Sequence, residues 1–153
     1  MRFLPEPDPP DPLPGKEAPI WVIVLFASAF ITCVATRWPW ISVKFENLFG
    51  SQDLPPAWQS TVGFTCLSTS LMVAVMTLAE SGTRASQQAV RPGSLLLVMV
   101  ALATLVAAGF AGPGSVGSFS AAWTAWFYVA CISLPLLSFV CLRRWVVLRR
   151  SSR

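Results

Sequence analysis

Long uncharged stretches recur four times along the chain, and the segments between them carry its charge. The stretches are residues 20–36, 58–79, 94–111 and 121–142, and none of them contains Asp, Glu, Lys or Arg. Each is apolar around the whole helical circumference rather than along one stripe, which is typical of a helix surrounded by lipid. The pattern therefore predicts four transmembrane helices.

Helix length sets the limits of these spans. At a rise of ~1.5 Å per residue, the second and fourth stretches cross the ~30 Å hydrocarbon core, and the other two need flanking residues. A net acidic, proline-rich segment precedes the first stretch, which favours an uncleaved span over a signal peptide. The predicted organisation is a Pro-rich tail at 1–19, a transmembrane domain at 20–142 with spans at about 20–38, 58–79, 92–111 and 121–142, and a basic tail at 143–153.

Composition and charge agree with this assignment. Hydrophobic residues make up 54% of the 153 positions and charged residues 12%, about half the charged fraction of an ordinary soluble domain. Nine of the eleven cations lie in the two tails and in the loop between the second and third spans. The positive-inside rule then places both termini in the cytoplasm. The predicted fold class is an all-α membrane protein with four helices, N-in and C-in.

The first outer loop, residues 39–57, has its own pattern. Apolar side chains at Ile41, Phe45, Leu48 and Phe49 recur with helical spacing, which predicts a short amphipathic helix in the membrane interface. A strand remains an alternative because Ile41, Val43 and Phe45 also alternate. We interpret the segment mainly as an interfacial anchor, with an outward lid or partner-binding patch as the second interpretation.

Small and hydroxyl-bearing residues form faces on three of the predicted helices. Such faces allow close helix–helix approach, and those of the second span also allow a polar path for a solute. A weak match at an offset of 65 residues, which includes Trp58 with Trp123 and Cys66 with Cys131, raises the alternative of two parallel helical hairpins related by duplication. The small-residue faces are Ser28, Thr32 and Thr36; Cys66, Ser70 and Ala74; and Ala103, Ala107 and Ala111.

Groups able to carry chemistry are scarce in this sequence. It has no histidine, and its four cysteines form no CxxC pair. The predicted spans lack the charged residue that ion-coupled transport usually needs. Glu80 is the nearest carboxylate, and we expect it at the interface, paired with Arg84 one helical turn on. We therefore predict no catalytic, cofactor-binding or metal site, and no enzymatic activity.

The basic tail is the strongest pointer to a partner. We expect its arginines to bind the anionic leaflet of the bilayer, which makes nucleic acid an unlikely partner. The excess of arginine over lysine and the abundance of alanine suggest a GC-rich genome and hence a bacterial inner membrane. The arginines concerned are Arg143, Arg144, Arg149 and Arg150.

Two functions fit these features. The first is a non-catalytic accessory or scaffold subunit that assembles, with itself or with other membrane proteins, through its small-residue faces. The alternative is a small facilitator that passes a neutral or lipidic solute along the hydroxyl face of the second span. A continuous cavity along that face would favour the facilitator, and a dry face with an apolar outer surface would favour assembly.

Overall fold

Helices dominate the structure, a computed structural model that describes residues 19–44, 50–80, 84–116 and 119–150. Most of the predicted N-terminal tail lies outside these residues. The elements in chain order are α1 (Pro19–Thr36), β1 (Ile41–Lys44), β2 (Ser51–Asp53), a 3₁₀ helix (Ala57–Gln59), α2 (Thr61–Ala79), α3 (Arg84–Ala111), β3 (Ser115–Val116), β4 (Phe119–Trp123) and α4 (Ala125–Arg150).

The four helices form a closed ring. Helix α1 packs against α2 and α4, and α3 packs against the same two helices, so α1 and α3 lie diagonally across the bundle. The core between them is apolar and tightly enclosed, because Leu25, Val73, Val98 and Leu134 are all fully buried. This is the arrangement of an up-and-down helical bundle.

The outer surface of the ring is apolar as well. Each helix exposes a large apolar side chain: Phe30 on α1, Leu78 on α2, Phe110 on α3 and Ile132 on α4 are 70–90% exposed. Helix α2, α3 from Ala85 and α4 are long and apolar enough to cross a membrane, whereas the apolar helix Ile20–Thr36 is shorter. The prediction of apolar helices is confirmed for these three, and the count of four spans stays a prediction.

Two helices are longer than the sequence indicated at the end of the bundle where α2 stops and α3 starts, called the inner end from here on. Helix α3 begins at Arg84 instead of residue 92, because good helix formers precede Pro92 and the ring tolerates the one hydrogen bond that the proline removes. Helix α4 continues to Arg150, so most of the predicted basic tail is helical. Its last turn carries Arg149 and Arg150, which interact favourably with the helix dipole.

A four-stranded antiparallel sheet covers the other end of the bundle, in the order β2-β1-β4-β3. Strand β1 pairs with β2 from its own loop and with β4 from the second outer loop, in a register that sets Ile41 opposite Trp123. The amphipathic helix is therefore wrong for residues 41–44, and the strand alternative is correct there. A helix this short is marginal in isolation, whereas the β-branched strand gains two neighbours. Residues 45–49 of the predicted helix lie outside the described residues.

The same sheet shortens the fourth predicted span. Residues 120–123 of strand β4 pair with β1, so α4 begins at Ala125 instead of residue 121. Thr124 fixes this boundary, because its backbone N–H donates to the Trp40 carbonyl oxygen at 2.8 Å and its hydroxyl donates to the Pro39 carbonyl oxygen at 2.6 Å.

Strand order bears on the proposed duplication. The first strand of the first loop, β1, lies beside the second strand of the other loop, β4. Two equivalent hairpins related by a two-fold axis would instead bring equivalent strands together at the centre of the sheet. Moreover, Trp58 lies in a 3₁₀ helix and its counterpart Trp123 in a strand. The two outer loops are therefore not structurally equivalent, and a repeat stays a hypothesis for the helices alone.

Gly63 lets the 3₁₀ helix pack directly on the first turn of α2. A Cβ at this position would lie 2.0 Å from the carbonyl oxygen of Ala57. We expect Gly63→Ala to lower the free energy of unfolding by roughly 2 kcal/mol or more, because backbone must shift to relieve the overlap. Thermal unfolding in mild detergent measures the effect.

Gly109→Ala is the matched control, also within a helix. Its Cβ would meet only Phe127 Cζ, at an ordinary contact distance of 3.8 Å. Alanine also favours the helix by about 0.5–1 kcal/mol relative to glycine. We expect this variant to be as stable as the wild type or more so. Equal melting temperatures for the two variants would contradict the close packing at Gly63.

Candidate functional site

A buried ionic cluster joins three helices at the inner end of the bundle. Glu80, at the end of α2, accepts from Arg91 Nε at 2.9 Å and from Arg144 Nη2 at 2.5 Å, through different carboxylate oxygens. All three side chains are only 6–7% exposed. A carboxylate held between two guanidinium groups thus ties α2 to α3 and α4.

Further hydrogen bonds complete the cluster. Arg91 Nη1 donates to the backbone carbonyl of Arg144 at 3.1 Å, and Arg144 Nη1 donates to the Thr77 hydroxyl at 3.2 Å. That hydroxyl in turn donates to the Val73 carbonyl at 2.8 Å. Buried charges are tolerated only when paired and hydrogen-bonded, and this arrangement meets both conditions.

The sequence did not reveal this cluster. Glu80 was expected beside Arg84, whose side chain lies outside the described ones, and Arg91 was assigned to a loop. The available signal was that charges border three apolar stretches at the same end of the bundle: Glu80, Arg91 and the pair Arg143 and Arg144. One of these charges is negative and the others are positive, and the closed ring brings Glu80 together with Arg91 and Arg144.

The arginines expected at the anionic leaflet separate into two groups. Arg144 points inward and is 5% exposed, so its assignment to lipid headgroups is corrected. Arg143 stacks over the Trp21 ring at 3.8 Å, and Arg149 lies 4.9 Å from the centre of the Trp145 ring. Both of these side chains are exposed while they contact indole rings, and Arg150 is exposed as well. Contact with anionic lipid stays a prediction for these three arginines.

The hydroxyl faces are used mainly inside the bundle. Ser28, Thr32 and Thr36 are buried on α1, and the Thr32 and Ser133 hydroxyls share a hydrogen bond of 2.8 Å between α1 and α4. On α2 the hydroxyls of Thr65, Ser68 and Thr77 donate to carbonyls of their own helix. The small-residue face of α1 is therefore a packing surface within the chain.

Helices α2 and α3 use their small residues differently. On α2, Cys66 and Ser70 are fully buried, and Ser70 Oγ has no hydrogen-bond partner among the described residues. On α3, Ala103, Ala107 and Ala111 are all exposed on the outside of the ring. The α3 face is therefore the one of the three whose small residues are all exposed among the described residues.

A pocket of about 470 Å³ opens at the outer end, between the start of α2, the end of α3 and the sheet. The tryptophans Trp40 and Trp123 line it from the sheet side, and Ala108 and Ala111 line it from α3. Pro55 and Pro56 stiffen the connecting wall before the 3₁₀ helix. The volume lies within the ~300–1,000 Å³ range of small-molecule sites.

Local hydrogen bonds hold the walls of this pocket in place. Trp40 is buried, and its indole Nε1 donates to the Ala35 carbonyl at 2.9 Å. Ser60 caps α2 by accepting from the Gly63 N–H at 3.1 Å, and its hydroxyl donates to the Ala57 carbonyl at 2.7 Å. Gly112, at a φ of +75°, ends α3 in the left-handed conformation that favours glycine.

The outer pocket offers mainly apolar contacts to a ligand. The described lining of the outer pocket contains no titratable side chain. Within the described ranges, no group of three or more His, Cys, Asp or Glu side chains is placed to hold a metal ion. The bundle thus has an apolar pocket at one end and a buried ionic cluster at the other.

The described residues form a helical bundle in which three helices are long and apolar enough to cross a membrane. This fold is compatible with a multi-pass membrane protein. No family model, no curated protein and no solved structure matches the chain. Function therefore has to be inferred from the physical features of the bundle.

Glu80→Gln tests the inner cluster. Removing the charge leaves the guanidinium groups of Arg91 and Arg144 buried without their carboxylate, which typically costs about 3–5 kcal/mol. We expect a large drop in melting temperature in detergent. Asp53→Asn, at an exposed carboxylate in β2, is the control and should change stability by less than ~0.5 kcal/mol. A Glu80→Gln variant as stable as this control would show that the cluster does not hold the helices together.

Proposed function

We propose that this chain is a four-span, non-catalytic membrane protein that acts as an accessory or scaffold subunit, with both ends in the cytoplasm. The exposed alanine face of α3 carries the proposal. Ala103, Ala107 and Ala111 recur every four residues on the outside of the ring, whereas most of the small residues on α1 and α2 are buried within it. A helix from another subunit can approach closely along such a face.

The internal use of polar groups supports the same function. The buried carboxylate, both buried arginines and most of the buried hydroxyls bond within the bundle, which leaves an apolar outer surface for contact with lipid or with other helices. The facilitator hypothesis has less support, because the hydroxyls of Thr65, Ser68 and Thr77 on α2 donate to carbonyls of their own helix. Among the described residues, the outer pocket is lined by neither Thr69, Ser70 nor Thr77.

The proposed position in the membrane rests on the distribution of charge and on the tryptophans that follow α1. In this proposal α1 also crosses the bilayer, because Trp38 and Trp40 extend it into the interface. The inner cluster and the arginines of α4 then lie at the cytoplasmic surface, and the sheet lies outside. A bacterial inner membrane fits the arginine-rich composition.

Sidedness can be tested with reporters. We expect a reporter fused after residue 52, in β2, to be active outside the cytoplasm, and one fused after residue 153 to be active inside. The positive-inside rule is the physical reason. Two reporters active on the same side would refute a four-span arrangement.

Assembly can be tested by enlarging the α3 face. We expect Ala107→Leu to weaken self-association in vesicles by about tenfold, or ~1.4 kcal/mol, because the added side chain holds the neighbouring helix away. Single-molecule photobleaching counts the subunits, and co-purification in mild detergent reports association with other membrane proteins.

Ala27→Leu is the matched control. Ala27 is an exposed alanine on α1, diagonally across the ring from α3, and the substitution adds the same volume. We expect it to leave association unchanged. Equal subunit counts and equal co-purification for the two variants would show that the α3 face does not mediate assembly.

A further inference from the structure

The outer pocket has the chemistry of a site for a hydrocarbon chain. Its walls are apolar, with indole rings on the sheet side and alanines on α3. Besides the indole N–H groups of Trp40 and Trp123, the polar side chains of the described lining are Gln59 and Ser60, which are adjacent in the chain. A ligand that fits is therefore apolar along most of its length and polar at one end.

Only one of these two polar groups remains available. The Ser60 hydroxyl already donates to the Ala57 carbonyl and accepts from the Gly63 N–H. The Gln59 side chain is exposed at the end of the 3₁₀ helix and lines the pocket, so its amide is the group left for a polar contact with a ligand. The recognition is thus mainly by shape and apolar contact, with a single polar contact at the rim.

The surroundings of the pocket indicate where its occupant comes from. On α2, Trp58 and Phe64 are 42% and 59% exposed, and on α3, Val106 and Phe110 are 48% and 90% exposed. The outward surfaces of the two helices that border the pocket are thus apolar too. In the proposed bilayer these surfaces contact lipid, and Trp58 lies at headgroup level.

The volume of the pocket distinguishes a partner helix from a single hydrocarbon chain as its occupant. A helix of a partner protein is ~10 Å across with its side chains, too wide for a pocket of this volume. A single hydrocarbon chain fits the space and can enter from the lipid side. We infer that the pocket between α2, α3 and the sheet binds one acyl chain of an outer-leaflet phospholipid, with its ester and headgroup region beside Gln59. This inference rests on the proposed bilayer embedding and not on assembly through α3.

Photocrosslinking tests it directly. The protein is placed in phosphatidylcholine vesicles that contain a phosphatidylcholine with a diazirine in one acyl chain, and adducts are mapped by mass spectrometry after illumination. We expect adducts to be enriched at residues 54–62 and 108–112 over the outward-facing Phe30 and Ile132. Ala108→Phe, which fills the pocket, should lower the pocket adducts at least about fivefold.

Ala107→Phe is the matched control, one residue away on the exposed side of α3. It should keep the pocket adducts even where it weakens assembly, whereas Ala108→Phe should lose them and still assemble. Leu54→Phe, at the opposite rim, provides a second filling variant if Ala108→Phe does not fold. Adducts spread evenly over the outer surface of the wild type, or equal loss in the Ala107 and Ala108 variants, would overturn the inference.

A free fatty acid with the same diazirine separates the two sources of an acyl chain. We expect labelling of the pocket by the phospholipid probe in vesicles that contain no fatty acid. Labelling by the fatty acid probe alone would overturn the assignment to a phospholipid. Two reporters active on the same side would instead refute the four-span arrangement that places the pocket in the outer leaflet.

Discussion

The structure depends on one constraint: polar groups on apolar helices must find their partners within the chain. Water is absent from a hydrocarbon environment, so an unpaired buried charge or hydroxyl is costly there. Glu80 meets this requirement by accepting from two arginines, and Thr32 meets it by bonding to Ser133. These hydrogen bonds join different helices. They therefore provide partners for buried polar groups and hold the ring closed at the same time.

The two ends of the bundle are closed by different means. At the inner end, side-chain charges draw α2, α3 and α4 together, and Arg143 stacked on Trp21 adds α1. At the outer end, backbone hydrogen bonds between β1 and β4 join the two loops. A sheet bridges the helix ends without filling the space beneath it, and the apolar pocket between α2 and α3 is the result.

The sequence was most informative where a single physical effect dominates. Uniform hydrophobicity indicated four apolar helices, and α1 and α2 begin and end within three residues of their predicted limits. The sequence was less informative where two patterns compete. The helix and strand patterns overlap at Ile41, and only the partner strand from a distant loop decides between them. Pro92 suggested a helix start, but the ring supports the helix on both sides of it.

The functional features were harder to predict, because they arise from proximity in space. Arg91 and Arg144 are each ordinary flanking cations in the sequence, and their convergence on Glu80 requires the closed ring. The outer pocket is equally hidden, since its lining comes from the first outer loop, from both neighbouring helices and from β4. No local pattern reports an empty space bounded by segments so far apart.

The pairing of β1 with β4 has a consequence for biogenesis. One strand follows the first helix and the other precedes the last, so the sheet cannot close until nearly the whole chain has been synthesised. A nascent chain with only its first two helices would present β1 with one edge unpaired, open to other β-strands. Pairing with β4 thus covers an edge of β1 that every shorter nascent chain leaves open.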